Sequence, residues 1–240
     1  MKVIKFYVTT LAFFAFALLL VEAPAFAQQL KGNGNIQKQT RKVSGFKGIN
    51  VSGGFAVDIT LGNNEGVVLE AEENLLSQIS TEVKNGVLHI YNEGNISTSK
   101  GMKAHITLKE LNSIDVSGGV KVVGNSTVKT NTLKLDMSGG SKVTLAMDVK
   151  TLAADMSGAA KIDLSGRADN MKLELSGASK VMADKLEAKK VEVEASGASK
   201  VNVFAKESLE INASGASHVA YRGSPSITSE TSAAAKVSKL

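Results

Sequence analysis

The sequence predicts an all-β protein, a parallel β-helix or solenoid whose irregular N-terminal half acts as a cap. Three observations lead there. Variants of one phrase, Ser-Gly-(Gly/Ala)-x-Lys-Val, open at Ser117, Ser138, Ser157, Ser176, Ser196, Ser214 and, degenerately, Ser232. Successive openings are 21, 19, 19, 20, 18 and 18 residues apart, too regular for chance and too short for two packed helices per repeat. Apolar and polar residues alternate with period two on both sides of each phrase, the signature of half-buried strands. The corner between those strands is built of the smallest residues in every unit but the last.

Counted from each serine, the position one residue before holds Val116, Met137, Met156, Leu175, Ala195 and Ala213, and the position three before holds Ile114, Leu135, Ala154, Leu173, Val193 and Ile211. These are expected inside. Between them an almost wholly acidic column, Asp115, Asp136, Asp155, Glu174, Glu194, Asn212 and Glu230, is expected to face water. Beyond the corner a second outward column reads Lys121, Lys142, Lys161, Lys180, Lys200, His218 and Lys236. The next residues, Val122, Val143, Ile162, Val181, Val201, Val219 and Val237, complete the core.

The corner glycines Gly118, Gly139, Gly158, Gly177, Gly197 and Gly215 have a steric reading: a tight bend stacked on an identical bend leaves no room for Cβ, and glycine also permits positive φ. The serine hydroxyls could relay hydrogen bonds along the column. A phosphate-cradling loop would require a helix to follow, and Lys-Val strand residues follow instead. Rungs of a parallel stack lie about 4.8 Å apart, so each charged column repels itself. The two columns flank one corner, where they are expected to compensate each other in part.

Residues 1–27 have the form of an export signal: Lys2 and Lys5 precede an apolar run from Phe6 to Val21, and Ala25-Phe26-Ala27 forms an A-x-A cleavage site. Without Lys2, Lys5 and Glu22 the remainder carries 26 basic and 22 acidic residues, too mild a balance to imply nucleic acid. No later stretch is apolar enough to cross a bilayer. Cysteine is absent, which excludes disulfides, thiolate metal sites, thiol nucleophiles and a lipidated N-terminal cysteine. Beyond the signal the aromatic residues are only Phe46, Phe55, Tyr91, Phe204 and Tyr221, which leaves almost no platform for stacking bases or sugars.

Residues 28–111 read as the irregular β part and 112–240 as the solenoid continuous with it. Ile49-Asn50-Val51-Ser52-Gly53-Gly54 fits the repeat as an opening rung, 65 residues before Ser117, an interval long enough for three turns. Val83-Lys84-Asn85-Gly86-Val87-Leu88-His89-Ile90 is instead a hairpin signal. Glu72 to Ile79 reads as a helical turn or an irregular excursion.

The stretch Arg41-Lys42-Val43-Ser44-Gly45-Phe46-Lys47-Gly48-Ile49-Asn50-Val51, then Phe55 to Ile59, Glu70 to Leu76, the Val83–Ile90 segment and the Ser-Gly-Ala-Ser-Lys units resemble the auto-transporter adhesin, head GIN domain family of exported bacterial proteins, common in Bacteroidetes. The resemblance spans essentially the whole chain after residue 27. It implies a right-handed β-helical domain of the periplasm or cell surface with an adhesive role, and it supplies no catalytic residues. Self-transport does not carry over, because no segment after Leu111 has the alternating lipid-facing strands and aromatic girdles of a membrane barrel.

The expected function is therefore non-enzymatic: an exported protein of the periplasm or surface of a Gram-negative bacterium, attaching to a glycan or an anionic envelope component. The candidate binding column is Lys121, Lys142, Lys161, Lys180, Lys200 and His218. No catalytic or metal residues and no cofactor are assigned. His89, His105 and His218 are scattered rather than spaced as ligands, and the aspartate-glycine calcium loops are missing. The rival readings are a structural or self-assembling envelope protein and a β-helix polysaccharide lyase or hydrolase. The enzyme would use stacked Asp136 and Asp155 as a carboxylate pair. Such a site needs asymmetry, whereas these acids belong to a repeated column and the chain has only Arg41, Arg167 and Arg222 to orient them.

Overall fold

The computed structural model describes residues 29–232 and 234–240, and the expected export signal at 1–27 lies outside them. The chain is a β-solenoid of about seven turns, 68% strand and 3% helix. Five long strands carry its regular part: β12 (Val128–Met137), β13 (Lys142–Met156), β14 (Lys161–Leu175), β15 (Lys180–Ala195) and β16 (Lys200–Ala213). Each pairs in parallel with the next, the only arrangement in which identical repeats can stack. The inward columns are as the alternation requires, with Val143, Ile162, Val181 and Val201 all fully buried.

Unequal repeat lengths are absorbed away from the corners. The β15 strand shifts register against both neighbours, after Asp163 on one side and after Ala183 on the other, yet Lys161, Lys180 and Lys200 remain cross-strand partners. Irregular residues bulge out where the strands bend, and the corner register is restored once per turn.

The remaining strands close the two ends. β3 (Gly48–Gly53) and β4 (Phe55–Leu61) form a true rung directly beside β10 (Ser113–Gly118) and β11 (Lys121–Gly124), with Ser52 opposite Ser117 and Val57 opposite Val122. The 65-residue interval therefore holds no intervening turns. Its chain leaves the stack and builds a layer on the far side of that rung, where β7 (Val87–Asn92) pairs with β3 and β9 (Met102–Leu108) pairs with β4. The Asn-Gly hairpin is present: β6 (Ile79–Lys84) runs antiparallel to β7, with Asn85 and Gly86 at φ of 51° and 75°, the backbone a two-residue turn demands.

β5 (Gly66–Glu72) lies antiparallel on β9, and β2 (Ile36–Arg41) antiparallel on β5. These antiparallel strands cover an edge that would otherwise template foreign pairing. The 72–79 excursion is a short 3-10 helix, Glu73–Gln78, that buries Leu75 and Leu76. Beside it Glu72 is fully buried. Its carboxylate accepts from Gly34 N at 2.9 Å, Thr98 Oγ1 at 2.6 Å, and Ser99 N and Oγ at 3.2 and 3.0 Å. Those bonds tie down two loops beside the small sheet of β1 (Leu30–Lys31) and β8 (Ile96–Ser97).

At the opposite end β17 (His218–Arg222), β18 (Ser226–Thr231) and β19 (Lys236–Lys239) make the last rungs, β18 stacking on β16 and β19 on β17. Beyond these pairings β18 and β19 have no further strand partner among the described residues.

Candidate functional site: two charged ladders flanking one corner

The corner sets the geometry of everything on this face. The glycine after each serine has positive φ, between 66° and 82° at Gly118, Gly139, Gly158, Gly177, Gly197 and Gly215. The following residue donates its N–H to the glycine carbonyl one rung back, as Ala159 to Gly139 at 2.9 Å and Ala178 to Gly158 at 2.7 Å. The corner is thus a hydrogen-bonded stack in its own right. Its serines do not relay bonds to one another. Ser196 Oγ donates to the Leu175 carbonyl of the preceding rung at 3.1 Å, while the buried Ser141, Ser179 and Ser199 each donate to the carbonyl three residues back at 2.9–3.0 Å. Backbone carbonyls are nearer and better aligned acceptors than the next hydroxyl.

On one flank Lys121, Lys142, Lys161, Lys180, Lys200, His218 and Lys236 are consecutive cross-strand partners, a single unbroken column. Lys121, Lys200 and Lys236 are exposed, and Lys142, Lys161 and Lys180 are half-buried, as expected of long stems lying along a sheet with their ammonium ends in water. His218 Nε2 stands 3.4 Å from Ser238 Oγ.

On the other flank Asn50, Asp115, Asp136, Asp155, Glu174, Glu194, Asn212 and Glu230 form an equally continuous ladder. Asn50 Nδ2 donates to Asp115 Oδ2 at 2.6 Å. Partial burial, and then the neighbouring carboxylates, push Asp136 and Asp155 above the usual aspartate range.

The expected compensation between the ladders does not occur. Among the described residues no ion pair joins one to the other. The solenoid's ion pairs lie elsewhere, in Arg167–Asp148, Lys189–Asp169, Lys206–Glu187 and a cluster of Lys172 with Glu174, Glu192 and Glu194. The two columns stand on strands on opposite sides of the corner. Lys172 takes up part of the acidic ladder, and these three glutamates, Glu192 first, hold its ammonium well above the usual lysine range.

A groove of about 460 Å³ is lined by Asn50, Asp115, Asp136, Asp155 and Glu174 of the acidic ladder and by the neighbouring column of Ser113, Lys134, Ala153 and Lys172. Lys134 and Lys172 escaped the sequence reading because their column changes residue type from rung to rung, leaving alternation but no charge pattern to see. Asp115 is met by Asn50 and the glutamates Glu174 and Glu194 by Lys172, while Asp136 and Asp155 have no side-chain partner among the described residues. Among the described residues no group of three or more His, Asp or Glu side chains is placed to hold a metal ion, and no helix is long and apolar enough to cross a membrane.

Stacked parallel rungs with glycine corners in register define a β-solenoid. The chain belongs to the family described as "Putative auto-transporter adhesin, head GIN domain", whose model matches residues 45–225. Its fold is shared by solved structures of low identity. A "putative adhesin" from Bacteroides fragilis is 20% identical with a TM-score of 0.82, over 88% of this chain and 100% of that one. A "putative adhesin" from Parabacteroides distasonis is 20% identical with a TM-score of 0.76, over 89% and 100%. A "putative lipid binding protein" from the same species is 19% identical with a TM-score of 0.72, over 89% and 100%. No functionally curated protein matches the chain.

Proposed function

We propose that the protein is a non-enzymatic attachment module, exported to the periplasm or cell surface by the signal at residues 1–27, which holds an anionic envelope or surface component through its lysine ladder. The observation that supports this most directly is the ladder itself: five lysines in register from Lys121 to Lys200, without ion-pair partners among the described residues, on a rigid sheet. Like charges directly opposite one another destabilise a sheet, so the arrangement costs stability that an anionic ligand restores. Family membership supports an adhesin-like role. The adjacent Asp136 and Asp155 serve no hydrolytic pair in this reading, because both belong to a repeating ladder with no group setting one apart as acid and the other as nucleophile.

The test is a variant with Lys142, Lys161, Lys180 and Lys200 all changed to Gln, compared with the parent for attachment to intact cells of the source bacterium and its neighbours. Exposed charges contribute little to folding, so the melting temperature should stay level or rise while attachment is lost and becomes insensitive to salt. Normal attachment by a folded quadruple variant would leave a purely structural envelope role as the better reading.

A further inference from the structure

We infer that the ligand of the lysine ladder is a linear acidic polysaccharide bearing one carboxylate per sugar, laid along the stacking axis so that successive carboxylates meet successive rungs. This rests on the reading of the ladder as the attachment face, and it names the ligand class and its direction.

The period carries the first part of the argument. Cross-strand partnership puts one ammonium on every rung, and rungs recur about every 4.8 Å along the axis. One sugar of an extended chain has nearly that length, and although carboxylates of successive sugars project to alternate sides, a flexible lysine stem on each rung can swing to the side its carboxylate takes. The phosphates along one strand of a DNA duplex recur about every 3.4 Å, which falls out of step within two or three rungs. Lysine also tolerates a small residual mismatch, since its flexible stem and three rotatable donors adjust where a rigid guanidinium fork would not.

The surroundings carry the second part. Beside the ladder, on the corner side, the outward residues are Gly119, Gly140, Ala159, Ala178, Ala198 and Ala216, all exposed. A chain can lie on this row without displacing any side chain. No Phe, Tyr or Trp occupies the ladder or the row, so apart from His218 nothing there would stack a base, as single-stranded nucleic acids require. The ladder also has a fixed length. Five lysines run without a break, His218 follows, and Lys236 closes it.

Single exposed charge contacts are weak, so the ligand is held only by their sum. Affinity should therefore climb with each added sugar and level off at five to seven, the number of cationic positions in the ladder.

The experiment measures binding of homo-oligomers of a uronic acid, from disaccharide to octasaccharide, to the full protein without its signal, at low and physiological salt. Neutral oligosaccharides of the same lengths, inorganic polyphosphate and duplex DNA serve as comparisons. Expected are stepwise tightening with length, a salt dependence that steepens with length, and about tenfold or greater weakening in the quadruple Lys→Gln variant at unchanged melting temperature. Length-independent binding, or full binding by the variant, overturns the proposal. Polyphosphate or DNA binding as tightly as the matched uronate overturns the ligand class while leaving the attachment role intact. Oligo-uronate binding that depends on the lysines, together with cell attachment that does not, supports the ligand assignment and removes the attachment role.

Discussion

Gly177 sits directly on Gly158: at φ 74° its missing Cβ would lie 2.6 Å from the Gly158 carbonyl oxygen, and that oxygen accepts the Ala178 N–H at 2.7 Å. Two constraints therefore meet at one residue, a backbone region that L side chains avoid and a contact that nothing larger than hydrogen fits. Gly177→Val should destabilise the protein by about 3 kcal/mol or more, combining left-handed strain with backbone displacement in two rungs. Chemical denaturation measures it. A change of the size seen at an ordinary surface site would refute the stacked corner.

The fully buried Glu72 is shifted against the direction that burial alone would give. Hydrogen bonds to its carboxylate, Thr98 first, hold it below the usual glutamate range, so the folded state favours the ionised form. The stabilisation is complete above the unfolded-state value and drains away as pH falls through the lowered folded value. Glu72→Gln should melt several degrees lower at neutral pH, the difference shrinking on acidification. It should also speed proteolysis near Thr98–Lys100, because the loops beside β1 and β8 lose their common anchor. A variant as stable as the parent at pH 7 would remove Glu72 from that role.

Asp136 and Asp155 carry the reverse sign. Burial and neighbouring carboxylates raise both, so ionisation costs folding free energy above the raised value, and the cost disappears as pH falls through it. Asp136→Asn and Asp155→Asn should each stabilise at neutral pH by about 0.5 kcal/mol, small because solvent screens the ladder. The gain should vanish in acid. The ladder already places asparagine at two rungs, Asn50 and Asn212, and Asn50 donates to Asp115. Thermal melts across pH decide it, and a loss of stability at neutral pH would contradict the repulsion argument.

The regular half of the fold could be read from residues because each rung repeats its own instructions: Val143, Ile162, Val181 and Val201 had to share a face once their serines were aligned, and the lysines, one residue earlier in each rung, had to share the opposite one. The cap could not be read so fully. Asn85-Gly86 announced a hairpin, but nothing in the stretch from Gly66 to Leu108 says that its strands stack behind β3 rather than between β3 and β10, since that choice depends on contacts distant in sequence. Glu72 looks like any glutamate in a polar run until Gly34, Thr98 and Ser99 converge on it. The separation of the two charge ladders was equally hidden, because spacing along the chain places both beside the corner but not the directions in which the strands leave it.

The last described rung bears on self-assembly. Cross-strand register puts Ser229 in the column of Val193 and Ile211, Thr231 in that of Ala195 and Ala213, and Lys239 in that of Val203 and Tyr221. Three core positions thus become polar at this edge, while Ile227 and Val237 keep their columns apolar, and a lysine in a core column is a known device against edge-to-edge pairing. Every residue of β18 is exposed. The parent protein without its signal should therefore stay monomeric as concentration rises. Ser229→Val, Thr231→Ala and Lys239→Val together continue the apolar columns to the edge and should drive association end to end. Light scattering coupled to size exclusion measures both. Concentration-dependent polymers of the parent would favour a self-assembling envelope role, whereas a triple variant that remains monomeric would show that the polar rung is not what keeps the open edge from pairing.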